Sequence, residues 1–149
     1  MIKELLKSDS IIMELKGNSK EAVLMEFIEY GNGLGLISNN DEFFNKILEL
    51  ENLGSSALEK GIAIPHLRDN FVSEMFLLLG ISHGGVDFDS IDSQPSKLIF
   101  FIGAKKNDKM YLPLLSRISR MCSYGEIRDD LLSADSPDDI IGIISEWEI

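Results

Sequence analysis

Cysteine is almost absent, with Cys122 standing alone. No disulfide can close within the chain, and no cysteine pair is present to hold a metal. Set in an apolar helical pattern, Cys122 reads as a small core residue. Basic residues are also scarce. Fourteen lysines and arginines stand against 25 acids, giving a net charge of −11. Binding to a phosphate backbone needs a basic face that releases counterions, so nucleic acid is excluded and a basic protein partner fits better. Long apolar runs are missing too. Met75–Gly80 and Leu98–Ala104 fall far short of a bilayer span. Residues 1–9 have neither the apolar stretch nor the small-residue cleavage site of a signal peptide. The expectation is a cytoplasmic protein that is not embedded in a membrane.

What remains is ordinary for a globular chain: 44% hydrophobic and 26% charged residues. The 149 residues suit one domain, expected to span 1–149. Ile11–Leu15 reads as a short strand. Asn18 or Ser19 can cap a helix whose apolar face is Ala22, Val23, Phe27 and Ile28. Asn39 or Asn40 can cap a second helix carrying Phe43, Phe44, Ile47, Leu48 and Leu50, closed by a left-handed Gly54. A turn at Glu59-Lys60-Gly61 precedes a buried strand, Ile62-Ala63-Ile64, and Pro65 suits its end. Met75–Ile81 and Lys97–Gly103 are continuous apolar runs, as expected of central strands buried on both faces. Val86–Phe88 reads as an edge strand between them.

From Lys109 the period turns helical, with Leu112, Leu115, Ile118, Ser119 and Cys122 on one face. Glu126–Leu132 is a short helix. Ser136-Pro137-Asp138-Asp139 opens the last one, whose buried stripe is Ile140, Ile141, Ile144 and Trp147. The predicted class is α/β (α+β), a mixed β-sheet flanked by helices on both faces. The acid groups Asp87/Asp89/Asp92 and Asp135/Asp138/Asp139 lack calcium-loop spacing and read as loops and caps, so no metal is expected.

Only two histidines occur. His83, in Ile81-Ser82-His83-Gly84-Gly85, reads as an exposed turn residue. His66 follows a buried strand and a proline, where α/β folds place ligand groups. One reading makes it a strand cap. The other makes it a nucleophile: a neutral imidazole nitrogen can attack phosphorus when the other nitrogen donates to a carbonyl. Arg68 can then offer a bidentate fork, and Ser55, Ser56 and backbone amides can act as neutral donors.

Residues 54–68, Gly-Ser-Ser-Ala-Leu-Glu-Lys-Gly-Ile-Ala-Ile-Pro-His-Leu-Arg, resemble the active-site segment of a bacterial family. This is the enzyme IIA family of the phosphoenolpyruvate-dependent sugar phosphotransferase system, fructose/mannitol type, which includes the nitrogen-regulatory form. Ala63-Ile64-Pro65-His66 is the specific core of the match. The resemblance continues through Gly85-Val86-Asp87-Phe88, Asp92 and Pro95, the strand Leu98–Ile102, and Tyr111-Leu112-Pro113-Leu114-Leu115-Ser116-Arg117-Ile118. It implies that His66 accepts a phosphoryl group from the phosphocarrier HPr or a paralogue. It places Arg68, Ser55, Ser56, Glu51 and Tyr111 around the site. It implies an onward partner that is a permease enzyme IIB component or a regulatory target. The phosphohistidine is a covalent intermediate, so no cofactor is implied.

Four positions depart from the family pattern. Tyr111 stands where a second histidine is usual, and Leu50 where an arginine commonly precedes the glutamate matching Glu51. Leu67 replaces a small residue after the histidine. Ala57 and Glu59 replace two glycines of the active-site turn. A lost histidine or arginine removes stabilisation of phosphoryl charge, which typically costs roughly 3–4 kcal/mol in the transition state. Tyr111 can donate one hydrogen bond but brings no positive charge. Three readings therefore stand: an efficient carrier, a regulatory module, and a binding domain that has lost phosphotransfer.

Overall fold

Side-chain oxygens of Ser19, Asn39 and Ser136 accept the N–H groups of Ala22, Glu42 and Asp139, and these caps set where three long helices begin. The computed structural model describes residues 1–149. Its elements run α1 (Ile2–Leu5), a 3-10 turn at Ser8–Ser10, β1 (Ile11–Ile12), α2 (Lys20–Gly33), α3 (Asn40–Leu53), β2 (Ile62–Ala63), β3 (His66–Arg68), β4 (Phe76–Val86), β5 (Ser96–Ala104), α4 (Tyr111–Met121), α5 (Gly125–Ser133) and α6 (Pro137–Trp147). No helix is long and apolar enough to cross a membrane.

The sheet is mixed. Its order is β1-β4-β5-β2, with β3 also on β5. The β4–β5 pair is antiparallel and the other pairings are parallel. Alternation along β5 divides the core. Leu98, Phe100 and Ile102 face a layer built from α1, α4, α5 and α6. Ile99 and Phe101 face Val23, Leu24, Phe27, Phe43 and Ile47 of α2 and α3. The expected helices on both faces are therefore present.

Several local expectations change. β1 stops at Ile12, although the Leu15 amide still donates to the Ile81 carbonyl of β4 at 2.7 Å; just beyond it, Lys16 and Gly17 donate to the Glu26 carboxylate. Val86 is the end of β4, paired with Ser96, and no separate edge strand forms at Val86–Phe88. The chain turns there: Asp87 accepts from the Asp89 amide, and Asp89 adopts φ 59°. Gly54 ends α3 in extended backbone, φ −175°, and not in the left-handed region. Leu50 lies off the buried face at 43% exposure, as does Leu112 at 60%. The buried stripe of α4 is Tyr111, Leu114, Ile118 and Met121, and Ser119 also faces solvent.

His83 lies within the irregular end of β4. It is half exposed, with Nδ1 2.6 Å from Glu14 Oε1 and Nε2 3.0 Å from the Leu132 carbonyl. The Glu14 bond and then the Leu132 bond raise its pKa above the ordinary histidine value.

Glu148 ties the ends of the fold together. Its side chain is fully buried and accepts from the Ile2 amide (3.0 Å), the Lys3 amide (2.8 Å) and Arg117 Nε (2.6 Å). Burial pushes its pKa up, but the amides of Lys3 and Ile2, Arg117 and the terminal amine outweigh it and hold the group at about 2, against 4.5 normally. A depressed carboxylate pKa contributes stability that is present above the unfolded value and is lost as pH falls through the folded one. Glu148→Gln should lower stability at pH 7 by about 2–3 kcal/mol. It should also flatten the loss of stability between the two pKa values. Denaturant melts across that pH range check both.

Candidate functional site

β2 and β3 are two pieces of one edge strand. Their partners on β5 lie 36 positions on in both pieces, from 62 to 98 and from 66 to 102, so the register never slips. Ile64 and Pro65 interrupt the strand without shifting it. Pro65 has no N–H to give, and the Ile64 N–H turns away to the Ser56 carbonyl at 3.1 Å. His66 is thus the first residue of β3, not a residue beyond a strand's end. The two-residue period of a strand then sorts the side chains. Leu67 enters the layer beneath α2 and α3. His66 and Arg68 point to the opposite face, where Tyr111 opens α4.

The imidazole is partly buried. Its Nδ1 is 2.5 Å from the Ile64 carbonyl. A carbonyl can only accept, so Nδ1 carries the hydrogen, and in the neutral ring the lone pair sits on Nε2. The Tyr111 ring meets it edge-on with centroids 5.6 Å apart. Arg68 lays its guanidinium over that same tyrosine at 4.5 Å. Burial pushes the Tyr111 phenol up to about 12, partly countered by Arg68, so it stays neutral. A fixed imidazole, a neutral aromatic platform and a cation therefore share one corner. The positive end of α4 starts at the same residue.

The turn before β2 is braced from below. Buried Glu51, near the end of α3, accepts the Ser56 amide (3.1 Å) and the Ser56 hydroxyl (3.0 Å). The Ser55 hydroxyl donates to the Phe88 carbonyl. Further along, Lys60 (φ 66°) and Gly61 (φ 81°) make the left-handed corner, and Asp92 accepts the Lys60 amide at 2.8 Å. Lys46 of α3 holds Asp69, just past Arg68, at 2.6 Å.

The sequence model of the phosphoenolpyruvate-dependent sugar phosphotransferase system, EIIA 2, matches residues 4–147. The chain belongs to that family. It is 35% identical over 148 residues to the fructose-specific EIIABC component of Bacillus subtilis, covering 99% of this chain but 23% of that protein. The chain thus spans less than a quarter of that relative's length. Its fold superposes on nitrogen regulatory protein IIA-Ntr from Neisseria meningitidis with a TM-score of 0.88 at 27% identity, covering 96% of this chain and 98% of that one. It also shares the fold of the mannitol enzyme IIA of Escherichia coli, whose structure was determined in complex with phosphorylated enzyme IIB. There the TM-score is 0.83 at 18% identity, covering 95% and 97%.

Within this EIIA 2 domain, His66, Arg68 and Tyr111 come together as the sequence implied. Ser55, Ser56 and Glu51 gather on the neighbouring turn, but the two hydroxyls do not serve as expected. Each has one hydrogen, and each already donates within the protein. The serines therefore build the turn. Leu67 explains itself as core, Ala57 bridges to Ala63, and Glu59 is exposed.

One residue escaped the sequence reading. Lys20, the first residue of α2, is only 8% exposed. Its Nζ stands 3.4 Å from Glu51 Oε1 and 3.0 Å from Asp89 Oδ2, above the Phe88 ring. The signal was there. Lys20 continues the buried stripe of Val23, Leu24 and Phe27 at helical spacing, and a lysine on such a stripe demands a buried partner.

Proposed function

We propose that this protein is a phosphoryl-accepting enzyme IIA and that His66 Nε2 is the acceptor atom. The carrying observation is the bond from His66 Nδ1–H to the Ile64 carbonyl, which leaves the Nε2 lone pair free and fixed in direction. Nε2 attacks the phosphorus of phospho-HPr or a paralogue. The new N–P bond forms as the donor's N–P bond breaks, and that electron pair returns to the donor imidazole. The His66 Nδ1 hydrogen stays in place, and the Ile64 carbonyl stabilises the positive charge that develops on the ring. Arg68 supplies the cation beside the transferred group. The group then passes to an enzyme IIB component. Carriage is covalent and uses no cofactor. Incubation with phosphoenolpyruvate, enzyme I and HPr should add one phosphoryl mass to the purified chain. An unchanged mass overturns the proposal and leaves a binding domain that has lost phosphotransfer.

Arg68 is the test of how charge is handled without a second histidine. Arg68→Ala should slow uptake by roughly 10²-fold in single-turnover kinetics. Tyr111→Phe should change it by less than about threefold, since the ring face and not the hydroxyl supports the guanidinium. A large Tyr111→Phe effect would instead assign the hydroxyl to the phosphoryl group.

A second reading, a regulatory module, is favoured by the likeness to nitrogen regulatory protein IIA-Ntr. A phosphoryl group at His66 would add nearly two negative charges to this face and change what docks there. A pull-down comparing the unmodified and phosphorylated forms separates the readings. Recovery of permease components alone counts against regulation.

A further inference from the structure

We infer that Lys20 is a positioning residue for His66, acting through Glu51, Ser56 and Ile64. The inference rests on His66 being the reacting group. An unbroken polar chain joins them. Lys20 Nζ faces Glu51 Oε1 at 3.4 Å. Glu51 accepts the Ser56 amide and hydroxyl. The Ser56 carbonyl accepts the Ile64 N–H at 3.1 Å. The Ile64 carbonyl accepts His66 Nδ1–H at 2.5 Å. Both polar edges of residue 64 are thus committed, one toward the turn and one toward the imidazole.

Each link needs the one before it. Glu51 is buried, and a buried carboxylate without a countercharge draws in water. That water would compete with the Ser56 amide and hydroxyl for the Glu51 oxygens. The turn would loosen, the Ile64 carbonyl would lose its direction, and the imidazole would be free to move its hydrogen to Nε2, the atom that must stay bare. Lys20 prevents this from beneath the turn. It also reaches across to Asp89, so the loop whose Phe88 carbonyl takes the Ser55 hydroxyl is held to the same ammonium. The cation bonded to this glutamate comes from another helix, α2, while the adjacent Leu50 lies half exposed.

A buried ion pair is weak grounds for a stability role, because desolvation offsets much of its Coulomb gain. A positioning role predicts something stability alone does not. In long-range proton–nitrogen NMR of the full chain, wild-type His66 should show the hydrogen on Nδ1. Lys20→Met should shift population toward Nε2–H, and Lys20→Arg should restore the wild-type pattern. In single-turnover uptake from phospho-HPr, Lys20→Met should lower the limiting rate about tenfold or more. Its half-saturating donor concentration should stay within about twofold, and Lys20→Arg should recover the limiting rate. If Lys20→Met fails to fold, Lys20→Gln, neutral but still a donor, carries the same two readouts. An unchanged tautomer, or a rise in half-saturation with an unchanged limiting rate, overturns the inference. The NMR readout needs no phosphoryl transfer. A wild-type chain that takes up no phosphoryl group therefore refutes the proposed function separately.

Discussion

The His66→Ala protein gains no phosphoryl mass from phosphoenolpyruvate, enzyme I and HPr, while the wild type gains one. The loss is complete because no other nucleophile in the chain can substitute. Both ring nitrogens of His83 are engaged, one by Glu14 and one by the Leu132 carbonyl, at the far end of β4. The thiol of Cys122 is buried in the core, and burial pushes it up to about 12, so no thiolate forms at neutral pH. Intact-mass spectrometry after incubation reads the result directly. His66 is only partly buried, and its removal should cost less than about 1 kcal/mol of stability. The variant therefore remains a folded control. Labelling of the variant to the wild-type extent would remove His66 from its role.

Phe101→Ala should produce the largest loss of stability, about 3–5 kcal/mol by urea unfolding. Phe101 has no exposed surface. It stacks on Phe27 at 4.9 Å and on Phe43 at 5.6 Å, with Phe76 at 6.3 Å. Three elements therefore meet on one ring: α2, α3 and β4. Truncation removes the transfer energy of the ring and leaves a cavity that rigid strands on either side cannot close. A small domain holds only about 5–15 kcal/mol in total, so a large share of it rests here. Phe101→Leu should cost markedly less, because most of the volume is kept. A loss under about 1 kcal/mol for the alanine variant would mean that α2 and α3 are not docked on the sheet through this ring.

The sequence displayed the strong periodicities and concealed the places where one side chain redirects the backbone. The runs around Leu77 and Phe100 read as strands buried on both faces, and the Ser136-Pro137 start was legible from cap chemistry alone. The end of β1 was not, because nothing in Ile11–Leu15 signals that the chain leaves regular pairing after Ile12 and touches β4 again only at the Leu15 amide. Nor was the exposure of Leu112, since a one-residue rotation of α4 decides which of two adjacent apolar residues faces the core. At the site, the family resemblance of residues 54–68 singled out His66, and the two-residue spacing let Arg68 share its face. The engagement of the serine hydroxyls was hidden, because Phe88 lies 33 residues from Ser55. The partner of Lys20 was hidden for the same reason. Spacing along the helix marks Lys20 as buried but cannot say which carboxylate it meets.

The interruption at Ile64 and Pro65 has a consequence for how this protein meets others. A sheet whose outermost strand is long and regular invites a foreign strand to zip onto its free amides and carbonyls. Here one border is two residues long, and the other is broken beside the histidine, with its outward N–H already satisfied by Ser56. Both borders are poor templates for an added strand. Partners must therefore recognise the shape and charge of side chains, which lets a carrier arrive, exchange its cargo and leave without unzipping a ladder of main-chain bonds.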